Sequence, residues 1–364
     1  MSALAALSDN LVHSATVVLA LAMVAHAAEW AFLRERRTAP DAATSRSGAK
    51  RRAAESSGAA LATETDARGG DTVVAVLERP DAGRSGEGPG PAHAGPADTG
   101  PAHAHAGGGD GAAGAQSLRT AMFHRIGLAL TILGTILLGG GVVSRGVAAE
   151  RVPWSNLYEF AITGSLVIAV TYLVTLRRLR IGFLALPLVG FLLVVLGIAI
   201  TVLYLPVSGL IPALQSYWLV IHVSAAITAT GVLTLGAVAS VLQIVKARQE
   251  RRGGGGYVAQ LPPAATIERT AYRLNAFAFP VWTFALIAGA IWAAAAWGRY
   301  WGWDPKETWM FITWVCYAAY LHARSTAGWR SRASWIALVA YAALLFNLIG
   351  VNFLISGFHS YTGK

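Results

Sequence analysis

An all-α, polytopic integral membrane helical bundle is the fold this sequence predicts, and three observations predict it. Of 364 residues, 55% are hydrophobic and 13% charged, where a soluble domain carries roughly 25% charged residues. Eight apolar stretches are long enough to cross a hydrocarbon core about 30 Å thick, which takes about 20 residues per helix. The cations lie unevenly between those stretches, the pattern expected when basic loops stay cytoplasmic.

In chain order the expected spans are 11–33, 122–143, 157–176, 181–204, 217–245, 275–297, 305–323 and 333–357. The first has the length of a secretory signal. It lacks a basic region ahead of its apolar run, however, and carries Arg34, Arg36 and Arg37 after it, so it reads as a retained helix. Placing 34–125, 177–180, 246–273 and 324–332 in the cytoplasm puts 24 of the 29 Lys and Arg residues there, leaving Arg145, Arg151, Arg299, Lys306 and Lys364 on the other side. Eight spans then put both termini outside, together with the connector between spans six and seven. The net charge of +10 reports this asymmetry and argues for no nucleic-acid partner.

Three regions follow: a first transmembrane helix (1–35), a cytoplasmic loop (36–118) and a seven-helix core (119–364). The loop is rich in Ala, Gly, Pro, Ser and Asp with only short apolar runs, a composition too poor in apolar surface to order itself. Its His93, His103 and His105 sit in a Pro/Ala/Gly tract where compositional drift explains them better than a metal site does. A second linker, RRGGGGYVAQLPP, follows span five. The single cysteine, Cys316, lies mid-span. It excludes a disulfide, a CxxC pair, a zinc cluster and covalent haem attachment through CxxCH within this chain, and reads as a packing residue.

The connector WGRYWGWDPKETW (297–309) holds Trp297, Trp301, Trp303 and Trp309 among thirteen residues. Part of it has a local explanation: Asp304 as N-cap, Pro305 as first helical residue and Glu307 three positions on make a capping box. An interfacial aromatic belt explains single tryptophans as well. A belt scatters its indoles over all helix ends, yet five of the twelve tryptophans fall between Trp292 and Trp309. Large rigid rings suit a flat apolar ligand, and Arg299 and Lys306 suit acidic groups at its rim. A porphyrin carrying two propionates has that shape and charge.

An iron porphyrin also needs axial ligands. His222 lies about a turn inside the outer end of span five, and His359 just past the outer end of span eight. Each alone also fits a hydrogen-bonded structural histidine; together, on the tryptophan side and on different spans, they favour ligation. His322, seventeen residues beyond Pro305, lies roughly 25 Å along the helix at 1.5 Å per residue, near the cytoplasmic end. It cannot share an iron with the outer pair. An opposite ligand for it would come from His124, His26 or a partner protein.

These stretches carry a resemblance. WGRYWGWDPKETW resembles the WWD signature of haem-handling proteins, and WDPKETWMFITW is similar to the CcsA family (also called ResC, and often labelled CcsB in actinobacteria) of system II cytochrome c biogenesis. VPWSNLYEF (152–160), YWLVIHV (217–223) and GVNFLISGFHSY (350–361) support it, over residues 122–364. The resemblance implies that His222 and His359 hold b-type haem beside the tryptophan connector, where Asp304 belongs to the signature. It also implies that His322 serves an internal haem site completed by a CcsB/ResB-type membrane partner. The family exports haem and presents its vinyl groups to the thiols of an apocytochrome c CxxCH motif, with other proteins keeping iron and thiols reduced. Many relatives have Asn-Glu ahead of the signature; here Ala294 and Ala295 stand there, and no role carries over to them. Besides a haem-presenting synthase subunit, two other classes stay open: a haem transporter or chaperone without ligation activity, and a b-type cytochrome that passes electrons. The latter would place paired histidines within helices rather than at their ends.

Overall fold

The structure is a computed structural model and describes residues 3–59, 108–207, 216–253, 255–355 and 357. The helices in order are α1 Ala3–Ala59, α2 Gly108–Ala148, α3 Leu157–Leu179, α4 Ala185–Thr201, α5 Tyr217–Arg252, α6 Tyr257–Gln260, α7 Ala264–Trp297, α8 Pro305–Ser325, α9 Arg330–Leu345 and α10 Val351–Leu354. A 3₁₀ turn, Gly182–Leu184, leads into α4, and a π-helical turn, Phe346–Gly350, joins α9 to α10. No strand occurs among the described residues.

Among the described residues, seven helical segments are long and apolar enough to cross a membrane: Ala3–Leu33, Ala115–Ala148, Leu157–Leu179, Gly182–Thr201, Tyr217–Arg252, Ala264–Trp297 and Arg332–Leu354. They match seven of the eight expected spans. The other, 305–323, is a helix of 21 residues, but its charged ends and its Trp, Tyr and Thr content keep it below the apolarity of the seven. The chain is therefore a multi-pass helical membrane protein. Helix α1 runs past the boundary expected at residue 35, through a stretch rich in the helix formers Ala and Arg. Loop histidines His93, His103 and His105, like His359, lie outside the described residues.

The chain divides into two compact units, one made of Met1–Glu35 with Gln116–Lys364 and the other of Arg36–Ala115. The first carries the core. Its longest seam pairs α5 with α7, and α8 packs on α9. One apolar cluster gathers Tyr172, Leu188, Leu233, Trp282 and Tyr317; another joins α1 to its neighbours through Val12, Leu19, Leu138, Ile162 and Leu196. A third is small and aromatic: Leu219, Val223, Ile227 and Trp292, flanked by Trp154, Phe160, Trp218 and Trp297.

A charged node fixes the wall beside that aromatic cluster. Arg145, wholly buried near the end of α2, reaches Glu159 Oε1 at 3.2 Å, donates to the Leu205 carbonyl and lies 3.7 Å from Asp9. Glu159, equally buried, also takes Arg151 at 2.7 Å and the Ser155 N–H and hydroxyl at 2.9 and 3.1 Å. With the Asn156 side chain capping α3 at Glu159 N, these bonds hold Trp154–Asn156 in place.

Candidate functional site

Helix α7 ends at Trp297 because Gly298 adopts φ 72°, the left-handed C-cap that glycine reaches without strain. The chain restarts as α8 through the capping box expected from the sequence: Asp304 accepts from the first turn, and Glu307 reaches back to the N-cap backbone. Glu307 does more than cap. Its Oε2 accepts from Gly302 N at 2.8 Å and Asp304 N at 3.1 Å, the two amides that bracket Trp303. Trp303 itself has φ 56°, a conformation costly for a bulky side chain and held where surrounding bonds determine it. The indole it presents is 68% exposed and meets Trp301 edge-on at 5.7 Å.

Behind the connector lies a cavity with an empty volume of about 1220 Å³, its open mouth included. His222, Gly289, Trp292, Trp301, Lys306 and Asn347 are among its lining residues, with Trp154 and Trp282 adding aromatic wall. Of the residues expected at the site, His222, Trp301 and Lys306 line it. Trp297 packs behind it, 4.9 Å from Trp292. Trp309 turns to Phe346 at 4.2 Å. Asp304 is the buried N-cap, and Arg299 folds over Gly302, where an added Cβ would meet its guanidinium.

The placement of His222 is specific. Its ring stacks on Trp292 at 6.1 Å and 11°, and its Nδ1 lies 2.8 Å from the Ala285 carbonyl oxygen. A carbonyl only accepts, so Nδ1 carries a proton and donates it to Ala285. Orientation of a ligating imidazole by a backbone carbonyl is the usual arrangement at metal sites. Gly289 makes the approach possible, since a Cβ there would stand 2.8 Å from the ring. A histidine so oriented, an aromatic-lined cavity and a lysine at its wall fit a haem.

His322 is exposed on the last turn of α8, while its neighbours Tyr320 and Ala323 are buried. Its helix is unbroken from Pro305, so about 25 Å separates it from the connector. The structure gives His26 and His124 to Glu29, at 3.5 and 3.0 Å. Gly357, two residues before His359, packs on the connector: a Cβ there would lie 2.6 Å from Asp304 Oδ1. Sequence reasoning did not find Gly289, Trp154, Trp282 or Asn347, whose parts in the site depend on contacts across helices.

These features define a multi-pass membrane protein with a histidine-bearing aromatic cavity behind a tryptophan-rich connector. A model of the cytochrome c assembly protein family matches residues 154–359. Similar curated proteins include the cytochrome c biogenesis protein CcsA of Gloeobacter violaceus, 30% identical over 297 residues, covering 67% of this chain and 88% of that protein. That of Guillardia theta is 36% identical over 261 residues, covering 65% and 85%. A solved cytochrome c heme lyase CcmF aligns with a TM-score of 0.47 at 18% identity, over 63% of this chain and 41% of that one, too distant to bear on the site. The chain belongs to the cytochrome c assembly family, as a CcsA/ResC-type system II cytochrome c biogenesis protein. Its role lies in haem handling during cytochrome c biogenesis.

Proposed function

We propose that the chain is the haem-presenting subunit of a system II cytochrome c synthase, exporting haem and holding it at the cavity behind the connector. The observation that carries this is the setting of His222: its Nδ1 is committed to Ala285 and its ring seated on Gly289 in the wall of an aromatic cavity. His222 and His359 would ligate the iron of a non-covalently held b-type haem, and Gly357 against Asp304 supports the approach of the C-terminal segment to the connector. Trp301 and Trp303 would cover the macrocycle and exclude water, Trp297, Asp304 and Trp309 would hold the connector in shape, and Lys306 and Arg299 would meet carboxylates. Bound haem supplies the vinyl groups to which two apocytochrome cysteine thiols add, each S–H crossing one C=C to leave a thioether. The protein's part in that step is to fix the distance between vinyl and sulfur.

The charge asymmetry of the loops supports an extracytoplasmic position for this site. Seated on α8 with its side chain exposed, His322 suits an internal haem site completed by a CcsB/ResB-type subunit. Thiol-reducing proteins and apocytochrome c complete the set of partners, and ligation belongs to the complex.

The test is co-expression with a CcsB/ResB-type partner and a CxxCH reporter in a host lacking its own maturation system. Covalent haem appears on the reporter and falls to background with H222A or H359A at wild-type membrane levels of the chain. Full maturation by both variants overturns the ligand assignment. Haem that copurifies with the wild type while no thioether forms assigns the chain to transport alone.

A further inference from the structure

The cavity has one polar wall residue that neither the family signature nor the capping chemistry explains. Asn347 is 7% exposed and lines the cavity, and its Oδ1 has no hydrogen-bond partner. Among the described lining residues it is the one with a buried side-chain polar atom left unsatisfied. Four other polar lining residues are spoken for: Asn156 caps α3, Ser155 binds Glu159, Glu307 holds Gly302 and Asp304, and Asn352 donates to the Leu348 carbonyl. A buried amide oxygen without a donor is rare in a folded protein and calls for an occupant.

The backbone beneath Asn347 is also unusual. Phe346–Gly350 forms a π-helical turn between two α-helical stretches, a feature that is rare and concentrated at functional sites. Local packing accounts for it. Phe346 is drawn onto Trp309 at 4.2 Å, and Gly350 lets the chain pass beside that ring, where a Cβ would stand 2.5 Å from it. The same Trp309 sits in the first turns of the helix that carries Lys306, so connector and π turn are fastened together.

A primary amide offers both a donor and an acceptor, and a half-turn of the amide exchanges the two. A carboxyl can use either: an ionised one only accepts, and takes the amide N–H once the half-turn points it into the cavity, while a protonated one also donates to the amide oxygen. A cation in the same wall, Lys306, adds charge attraction when that carboxyl is ionised. We propose that Asn347, with Lys306, forms the carboxyl subsite of this cavity and receives a propionate of the bound porphyrin. This rests on the haem reading above and extends it to the acidic edge of the ligand. Asn347 thereby fixes the rotation of the macrocycle about the iron, and so the direction in which the vinyl edge points.

The test uses the full-length protein in detergent, titrated with iron protoporphyrin IX and, separately, with its dimethyl ester, followed by the Soret band. The wild type binds the free acid more tightly than the ester. N347L weakens free-acid binding about tenfold, the loss of one charge-assisted hydrogen bond, and weakens ester binding less, because the ester carbonyl accepts only a neutral hydrogen bond, so the preference for the free acid shrinks. K306M acts in the same direction. Helix content by circular dichroism and the position of the ester-bound Soret band stay as in the wild type. If N347L keeps the wild-type preference for the free acid, or weakens both ligands equally, the subsite assignment is overturned while the haem reading stands. If the wild type binds neither porphyrin, the haem reading falls first and the subsite with it.

Discussion

His222 and His26 are two histidines in membrane helices, each with its ring seated on a glycine of a neighbouring helix. A Cβ at Gly289 would stand 2.8 Å from the first ring, and one at Gly127 2.7 Å from the second. The difference lies in their partners. His222 faces a backbone carbonyl, which cannot titrate and accepts from Nδ1. His26 contacts Thr131 Oγ1 at 3.2 Å through Nε2 and Glu29 at 3.5 Å through Nδ1. Since the Thr131 hydroxyl gives its proton to the Gly127 carbonyl, Nε2 of His26 must donate, leaving Nδ1 to face a carboxylate that also serves the half-exposed His124. One histidine is held by a group that carries no charge; the other faces a carboxylate shared with a second histidine.

That contrast is sharpest in a pair of glycine substitutions. G289A pushes the His222 ring off the cavity wall, and haem retained after purification falls at least about tenfold, close to the loss with H222A. G127A makes the same steric demand on His26. It lowers unfolding stability by about 1–3 kcal/mol and leaves haem content and Soret position unchanged. Equal haem loss in both variants would break the comparison and join the two histidines in one haem path. A smaller effect comes from E307A, which removes the acceptor shared by Gly302 and Asp304. It costs about 0.5–2 kcal/mol as a lost cap, and releases Trp303 from its left-handed backbone, seen as a change in tryptophan fluorescence and in reporter maturation. Smallest is E29Q: with Glu29 partly open to solvent, stability changes by about 1 kcal/mol or less, with haem retention as in the wild type.

Much of the scaffold was legible because it depends on local rules. Runs of apolar residues gave the helices, and Asp304, Pro305 and Glu307 gave the start of α8 with its capping box. The 305–323 segment was harder, because length says helix while Trp, Tyr and Thr dilute its apolarity. Residue type pointed to His222, but what orients it is a carbonyl 63 residues away and a glycine on the facing helix, and no spacing rule links them. Asn347 was invisible for the same reason. In LLFNLIGVNF it is one of two asparagines in an apolar run, and only the π turn and the cavity give its amide a setting. The second role of Glu307, bracketing Trp303, followed from a backbone turn that a capping pattern does not specify.

The buried guanidinium of Arg145 bears on how the chain enters the bilayer. Its main counterion, Glu159, lies 14 residues further on, a delay of about 1–3 s at ordinary translation speeds. Until then the guanidinium in the last turn of α2 has Asp9 of α1 as its acidic neighbour, at 3.7 Å. The hydrogen-bonded carboxylate comes only with α3, so release of α2 from the translocon is best timed to that arrival, the two entering as one hairpin. E159Q is the change to make in a glycosylation-mapping assay of nascent topology, where it raises the fraction of chains with α2 left at the surface.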